Sequence, residues 1–416
     1  MMLGGLQDNG TRMRIMPGGT AVATFTGFNQ IDGGDGFGVG ISCTSGGAVG
    51  TNLLSTYVSQ VHYSFNSGGV FEMAFDDTGL PGPNPAVTPG LNPRITLDPF
   101  YTFVMRIAFD PNRDRTFITP LTDATAALNG HVYRSTDGAK TWLGINGTIS
   151  QTSGPDATVF PYPMVNVAVD PLHADVYGAV DLFYPYTTVN GGTNWMQAAP
   201  VFGPSSSPMQ LETIAVDPRN ANNTIWVGSK STRYNDGTVI LTAAGHLFRC
   251  ANARATLATA RCATWAPMHN GMPNAPVNVV KLDPGDPDTV YVGTEIGLYR
   301  SIDGGANFVR FGTGLPLVSV TDIAISADGS SVRLATFGRG FWEIHPDPTA
   351  PSGVAGNGDF DGNQIIDGYD VVREACILLA DPSSPDYNPI GNLVGSTNQI
   401  DAADLTALLG KLGGRP

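Results

Sequence analysis

The sequence predicts an all-β chain of six or seven repeated antiparallel sheets over residues 1–345. A linker at 346–358 and a small α-helical calcium-binding module over 359–416 follow. Three observations carry this expectation. They are a turn-rich composition, a strand that recurs with an Asp-Pro ending, and a C-terminal run of oxygen ligands at calcium-loop spacing.

The composition comes first. The 52 Gly and 31 Pro are about a fifth of the 416 residues, against a usual share of roughly 12%. Apolar content is an ordinary 42%. A core is therefore available, and the extra Gly and Pro belong to turns between strands. Charged residues are only 14% and the net charge is −14. Lysine is confined to Lys140, Lys230, Lys281 and Lys411. Such a chain has little with which to neutralise phosphates, so nucleic acid is not an expected partner. Divalent cations or a neutral partner such as polysaccharide fit better. No apolar stretch is long enough for a membrane span, and no signal-peptide pattern opens the chain.

The strand repeat follows. It reads RIAFDPN (106–112), NVAVDPL (166–172), TIAVDPR (213–219) and VVKLDPG (279–285), with a worn copy DIAISAD at 322–328. Alternating β-branched residues before a Pro-containing turn read as strands. Between these strands a second unit recurs. YRSTDGAKTW (133–142) and YRSIDGGANF (299–308) are close copies, and TTVNGGTNW (187–195) and YSFNSGGVF (63–71) are looser ones. The shared pattern is Ser/Thr-x-Asp/Asn-x-Gly followed by an aromatic residue. Gly supplies a positive φ in a hairpin turn, and the Asp or Asn accepts from turn amides. Ala139 stands where the other copies have Gly.

These residues are Ser64, Asn66 and Gly68; Ser135, Asp137 and Trp142; Thr188, Asn190, Gly192 and Trp195; and Ser301, Asp303, Gly305 and Phe308. The pattern resembles the Asp-box, or BNR repeat, of sialidase-like and sortilin-like β-propellers. The resemblance implies six or seven four-stranded blades around a central channel. FGRGFWEI (337–344) is similar to the closing strand of the last blade. The boxes themselves are expected to be folding turns, since an Asp that satisfies its own turn has little left for a ligand.

One box is missing between Thr188 and Ser301. In its place, Phe248-Arg249 matches Tyr133-Arg134 and Tyr299-Arg300, and Trp265 matches Trp142. The turn between them is replaced by Cys250, eleven residues and Cys262. Two cysteines at the base of an expanded hairpin are placed for a disulfide, which implies an oxidising compartment. Cys43 and Cys376 are unassigned.

GLQDNGT (5–11) followed by GGDGF (33–37) is similar to an internal stretch of related propellers. The chain is therefore expected to begin within a propeller. Either upstream blades are absent from it, or residues 3–28 close the last blade by pairing with the strand around Phe341.

After the linker, DFDGNQIIDGYD (359–370) places Asp359, Asp361, Asn363, Asp367 and Asp370 at positions 1, 3, 5, 9 and 12 of a loop, with the Ile365 carbonyl at position 7. This is calcium-loop spacing. Asp at position 12 and Gln364 at position 6 resemble the dockerin loop. NQIDAADLTALLG (398–410) is similar to the end of a second, degenerate half with Asp401 and Asp404. The resemblance implies Ca2+ as cofactor, a cohesin-like surface or scaffold partner, secretion and a bacterial source.

Chemistry is sparser. The five glutamates lie in apparent strands or the helix, and no Ser-His-Asp or metal-spaced His pattern stands out. Asp8 and Asp35 are the weak loop candidates for a carboxylate pair. Two functions remain from different classes. One is a secreted propeller for carbohydrate or protein binding, or for extracellular assembly. The alternative is a xyloglucanase- or sialidase-like glycoside hydrolase.

Overall fold

The structure is a computed structural model. It describes residues 2–6, 10–14, 29–32, 36–43, 49–57, 60–64, 72–75, 106–122, 129–139, 142–202, 208–220, 223–234, 245–312, 314–326, 329, 331–346, 392–394 and 399–411. The chain divides into two compact units, Met1–Leu241 with Arg249–Ala266, and Thr242–Phe248 with Pro267–Pro416.

Strands β1 (Met2–Leu6), β2 (Gly10–Arg14) and β3 (Asn29–Asp32) form a three-stranded sheet. β4 (Gly36–Cys43), β5 (Val49–Tyr57), β6 (Gln60–Ser64) and β7 (Glu72–Phe75) form a four-stranded one. So do β8 (Ala108–Phe109), β9 (Phe117–Thr122), β10 (Gly130–Ser135) and β11 (Leu143–Gly144). The next sheet has five strands: β12 (Thr148–Ser150), β13 (Met164–Val169), β14 (Tyr177–Asp181), β15 (Pro185–Thr188) and β16 (Asn194–Gln197), in the order β12-β16-β15-β14-β13. β17 (Met209–Val216), β18 (Ile225–Tyr234), β19 (Leu247–Cys250) and β20 (Ala266–Pro267) follow. In the second unit lie a sheet of β21 (Val277–Leu282), β22 (Val290–Thr294), β23 (Gly297–Ser301) and β24 (Val309–Arg310), and one of β25 (Val320–Ile325), β26 (Val332–Thr336) and β27 (Gly340–Ile344).

Six consecutive sheets from β4 to β27 are thus the blades of an all-β propeller, and the β1–β3 sheet precedes them. Pairing is mainly antiparallel, and β12 runs parallel to β16. Of the two expectations for the start of the chain, a pairing of residues 3–28 with the strand around Phe341 is not seen among the described residues. β1 pairs with β2, in register from Met2 opposite Arg14 to Leu6 opposite Gly10, while β27 pairs with β26. A hairpin partner a few residues away costs far less loop-closure entropy than a strand more than 300 residues off.

The Asp-Pro strands end in one repeated turn. Asp110, Asp170, Asp217 and Asp283 are all buried. Each accepts, on Oδ1, the backbone N–H two residues on, from Asn112, Leu172, Arg219 and Gly285 at 2.8–3.0 Å. Each also donates its own N–H across the turn, to Thr116, Val176, Thr224 and Thr289. The carboxylate therefore does for the loop what the ladder does for the strand. In the worn copy Ser326 takes this place, accepting from Ser331 N on its hydroxyl.

The cores are apolar and aromatic. One cluster gathers Ile118, Val132, Phe160, Tyr177, Tyr186 and Trp195. The second unit packs Val279, Tyr291, Leu298, Phe311 and Leu334. Adjacent blades of the first unit are joined by polar contacts too. Asn112 donates to the Asp170 carbonyl at 2.9 Å, and Tyr177 to Asp110 Oδ2 at 3.3 Å. Arg134, at 3.1 Å, and Arg113 both bond Asp175.

Among the described residues one α-helix is present, α1 (Ala402–Gly410). Asp401 caps it, accepting from Ala403 N at 2.7 Å, and Asp404 Oδ2 accepts from Asp401 N at 2.9 Å to complete a capping box. No helix of the described residues is long and apolar enough to cross a membrane.

Candidate functional site

The box turns use their polar atoms on themselves. Ser135 Oγ accepts from Ala139 N at 2.8 Å and bonds Asp137 Oδ1 at 2.9 Å. Thr188 does the same with Gly192 N and Asn190, and Ser301 with Gly305 N and Asp303. The residues at the fifth position sit in the left-handed region, Gly192 at φ 88°, Gly305 at φ 87° and Ala139 at φ 76°. Burial pushes the Asp303 pKa up, but bonds from the Asn307 side chain and backbone, Ser301 and the Ala306 N–H outweigh it and leave it lowered. The aromatic residues anchor each turn. Trp142 donates to the Ala139 carbonyl at 3.0 Å, within its own box. Trp195 reaches the preceding blade at Ile145 O, 2.7 Å away. Of the first box, Ser64 ends β6, while Asn66 and Gly68 lie outside the described residues.

The missing box is a disulfide hairpin, as its cysteines suggested. Cys250 and Cys262 are bonded with Cα atoms 5.5 Å apart. Trp265 donates to the Ala199 carbonyl at 3.1 Å, which parallels the reach of Trp195 rather than the local bond of Trp142. Arg261 is buried, and burial lowers its pKa. Its guanidinium donates to Ala255 O within the hairpin and to Ser150 O and Oγ at 2.9 and 3.3 Å at the end of β12. The hairpin thus clamps a neighbouring sheet.

Near the start of several first strands the pairing is irregular. There β13, β17, β21 and β25 all break register, between Met164 and Asn166, Leu211 and Thr213, Val277 and Val279, and Val320 and Asp322. Bulges at a common position re-aim side chains. In the first unit they bring together an ion pair, Arg106 to Glu212 at 3.0 Å, with Asn166 donating to the Glu212 carbonyl at 3.2 Å.

An aromatic rim is formed by the segment before β13 and the turn after β14. Tyr162 and Tyr184 stack with centroids 6.0 Å apart and planes at 16°. Phe183 meets Tyr162 edge-on at 5.0 Å. Tyr162 is 36% exposed and Tyr184 half-buried, while Phe183 is buried. Four hydrogen bonds hold the rim in place. Leu182 donates to Pro163 O, Leu211 donates to Leu182 O, and Asp181 accepts from Phe183 N and Tyr184 N at 2.8 and 2.7 Å. Burial raises the Tyr184 pKa, with Tyr162 and Asp181 adding to the shift. Sequence reasoning passed over these residues. The signal available was the pair of short aromatic-proline stretches FPYP (160–163) and DLFYPY (181–186).

The carboxylate candidates Asp8 and Asp35 lie outside the described residues, as do Asp359, Asp361, Asn363, Ile365, Asp367 and Asp370, and Cys43 is described only as the end of β4. Asp401 and Asp404 are described. Asp404 is fully buried and its Oδ1 accepts from Leu393 N and Val394 N, both at 2.8 Å. Among the described residues no group of three or more His, Cys, Asp or Glu side chains could hold a metal ion.

No protein-family profile matches the chain, and no curated protein matches it in sequence. Several solved structures are similar to it. YCF48 from Cyanidioschyzon merolae is 14% identical, with a TM-score of 0.50 over 78% of this chain and 86% of that one. The GH74 xyloglucanase from Xanthomonas campestris is 18% identical, with a TM-score of 0.42 over 70% of this chain and 43% of its own. An ancestral GH74 enzyme is 21% identical, with a TM-score of 0.36 over 55% of this chain. The chain spans 27% of that enzyme's length. The likeness to YCF48 is one of fold: a β-propeller.

Proposed function

We propose that the chain is an extracellular binding propeller that takes a neutral carbohydrate at the rim formed by Tyr162, Phe183 and Tyr184. The stacked tyrosine pair carries this reading. A pyranose ring has an apolar face of C–H groups and an edge of hydroxyls. A half-exposed tyrosine offers a flat apolar face and a phenol at its edge. Arg106, Glu212 and Asn166 at the same blade ends supply directional polar groups to a mainly apolar surface, the usual make-up of a ligand site. The net charge of −14 disfavours an anionic ligand. The box turns contribute rigidity, since their acceptors are engaged internally.

The buried disulfide supports an oxidising, extracellular setting. Attachment to a cohesin-like surface or scaffold partner is assigned to residues 359–416 through a calcium loop at 359–370. Calorimetric titration of the whole chain with Ca2+ tests that part. One bound ion, lost in Asp359→Ala, is expected; no heat would remove the calcium loop from the account.

The ligand is tested by titrating neutral oligosaccharides while recording tyrosine and tryptophan fluorescence, and by assaying reducing ends in the same samples. Saturable binding without new reducing ends supports a binding propeller. Reducing ends that accumulate with enzyme concentration would replace it with a glycoside hydrolase.

A further inference from the structure

The hydrogen bonds beneath the aromatic rim run in one direction. Thr152 donates its backbone N–H at 3.1 Å and its hydroxyl at 3.2 Å to Gln197 Oε1. A backbone N–H can only donate, so this contact fixes the Gln197 amide with Oε1 toward Thr152 and Nε2 away from it. Nε2 then donates to the Tyr186 hydroxyl oxygen at 3.2 Å. The Tyr186 proton goes to Asp181 Oδ2 at 2.6 Å. Asp181 Oδ1 accepts from Phe183 N and Tyr184 N. Residues from the segment after β12 and from β16, β15 and β14 thus share one polarity, and the carboxylate is its terminal acceptor.

We infer that this chain of bonds is a proton-sensitive relay coupling the aromatic rim to the Ser150–Thr152 segment. A protonated Asp181 carries an O–H where it formerly accepted from Tyr186. That O–H donates to the Tyr186 oxygen, so Tyr186 must donate to Gln197 instead. The Gln197 amide must flip to accept, which turns Nε2 toward Thr152. The Thr152 hydroxyl can rotate and accept. Its backbone N–H cannot, and it loses its partner. A proton gained at the rim therefore removes a backbone hydrogen bond on the far side of the blade. Ser150, two residues from Thr152, is where Arg261 of the disulfide hairpin is held.

The surroundings suit a switch. Asp181 is fully buried and its three donors are neutral. The titratable and charged groups on the elements around it are Tyr177 on β14 itself, Tyr184 and Tyr186 on its own hairpin, Tyr162 before β13, and Glu212 next to Leu211 on β17, which pairs with Arg106. Burial pushes the Asp181 pKa up to about 7 against the pull of those donors.

An amide NMR titration of the free protein from about pH 5 to about pH 9 tests the relay. The N–H signals of Phe183, Tyr184 and Thr152 should shift together with one midpoint. The Thr152 amide should exchange roughly tenfold faster, relative to its intrinsic rate, on the acid side, as one lost hydrogen bond implies. In Tyr186→Phe, Phe183 and Tyr184 should still titrate while Thr152 goes flat. Asp181→Asn puts an N–H where the proton would sit, and should hold Thr152 in its acid state at every pH. A wild-type Thr152 amide that stays flat while Phe183 titrates would overturn the relay. So would a Thr152 titration that survives Tyr186→Phe. No saccharide is present, so failure of the carbohydrate reading leaves this result intact.

Discussion

The indole of Trp195 donates to the Ile145 carbonyl 2.7 Å away, on the preceding blade. The ring that closes one box turn is thereby a joint between two sheets. It is fully buried, edge-on to Phe160 at 5.6 Å. Trp195→Ala should cost about 3–5 kcal/mol of unfolding free energy. Trp195→Phe should cost less, since it keeps most of the packing and loses the hydrogen bond. Urea unfolding followed by far-ultraviolet dichroism measures both. Equal losses for the two would mean that the N–H, not the ring, holds the joint.

The box at Ser301 makes a smaller and pH-dependent contribution. Ser301→Ala leaves the Gly305 amide without its acceptor, a loss of about 1–3 kcal/mol for a buried donor. Asp303 has a lowered pKa. A depressed carboxylate contributes stability above its unfolded pKa and loses it as the pH falls through the folded one. The Ser301–Asp303 turn should therefore weaken only under acid conditions. Comparing the acid limb of stability in wild type and Asp303→Asn checks this. Superimposed acid limbs would show that the carboxylate contributes nothing.

The disulfide should stabilise through the unfolded chain. A loop of this size is worth about 3 kcal/mol. Cys250→Ala with Cys262→Ala should lower stability by about that amount and loosen the Arg261 contacts with Ser150. Because both cysteines are buried, a reductant should act only after unfolding. Midpoints of urea unfolding for the double variant, and for wild type with and without reductant, measure the effect. A midpoint equal to wild type contradicts it.

Asp181 predicts the opposite pH trend from Asp303. Its folded pKa is raised to about 7, so the folded state holds a proton that the unfolded chain releases near pH 4. Between those values the folded state binds more protons, and stability falls as pH rises, by up to about 1.4 kcal/mol per pH unit. Above the folded pKa the loss is complete and the curve levels. Asp181→Asn should flatten this window. A wild-type stability that rises from acid to neutral pH, with Asp181→Asn parallel to it, would show that Asp181 does not govern the window.

Much of the fold was legible because repetition makes local chemistry visible. Four Asp-Pro strands and their Asx turns were readable from spacing, since Asp110, Asp170, Asp217 and Asp283 bond residues only two positions away. The disulfide was readable because it replaced a repeated turn. The pairing of β1 was not, because either a near or a distant partner satisfies the same apolar strand. The aromatic rim was not either. Tyr162 and Tyr184 are 22 residues apart, and only the turn after β14 brings them together. Likewise Arg106 and Glu212 meet across an intervening sheet, a relation no local pattern encodes.

The carbohydrate reading rests on the face of Tyr162. The most direct measurement is the affinity of wild type, Tyr162→Ala and Asp137→Ala for the neutral oligosaccharide that wild type binds best. The account predicts a loss of at least roughly tenfold in Tyr162→Ala, the scale of one lost aromatic contact. Asp137→Ala, in a box turn, should keep its affinity. Undiminished binding in Tyr162→Ala, or loss in Asp137→Ala alone, would contradict it and move the site to the boxes.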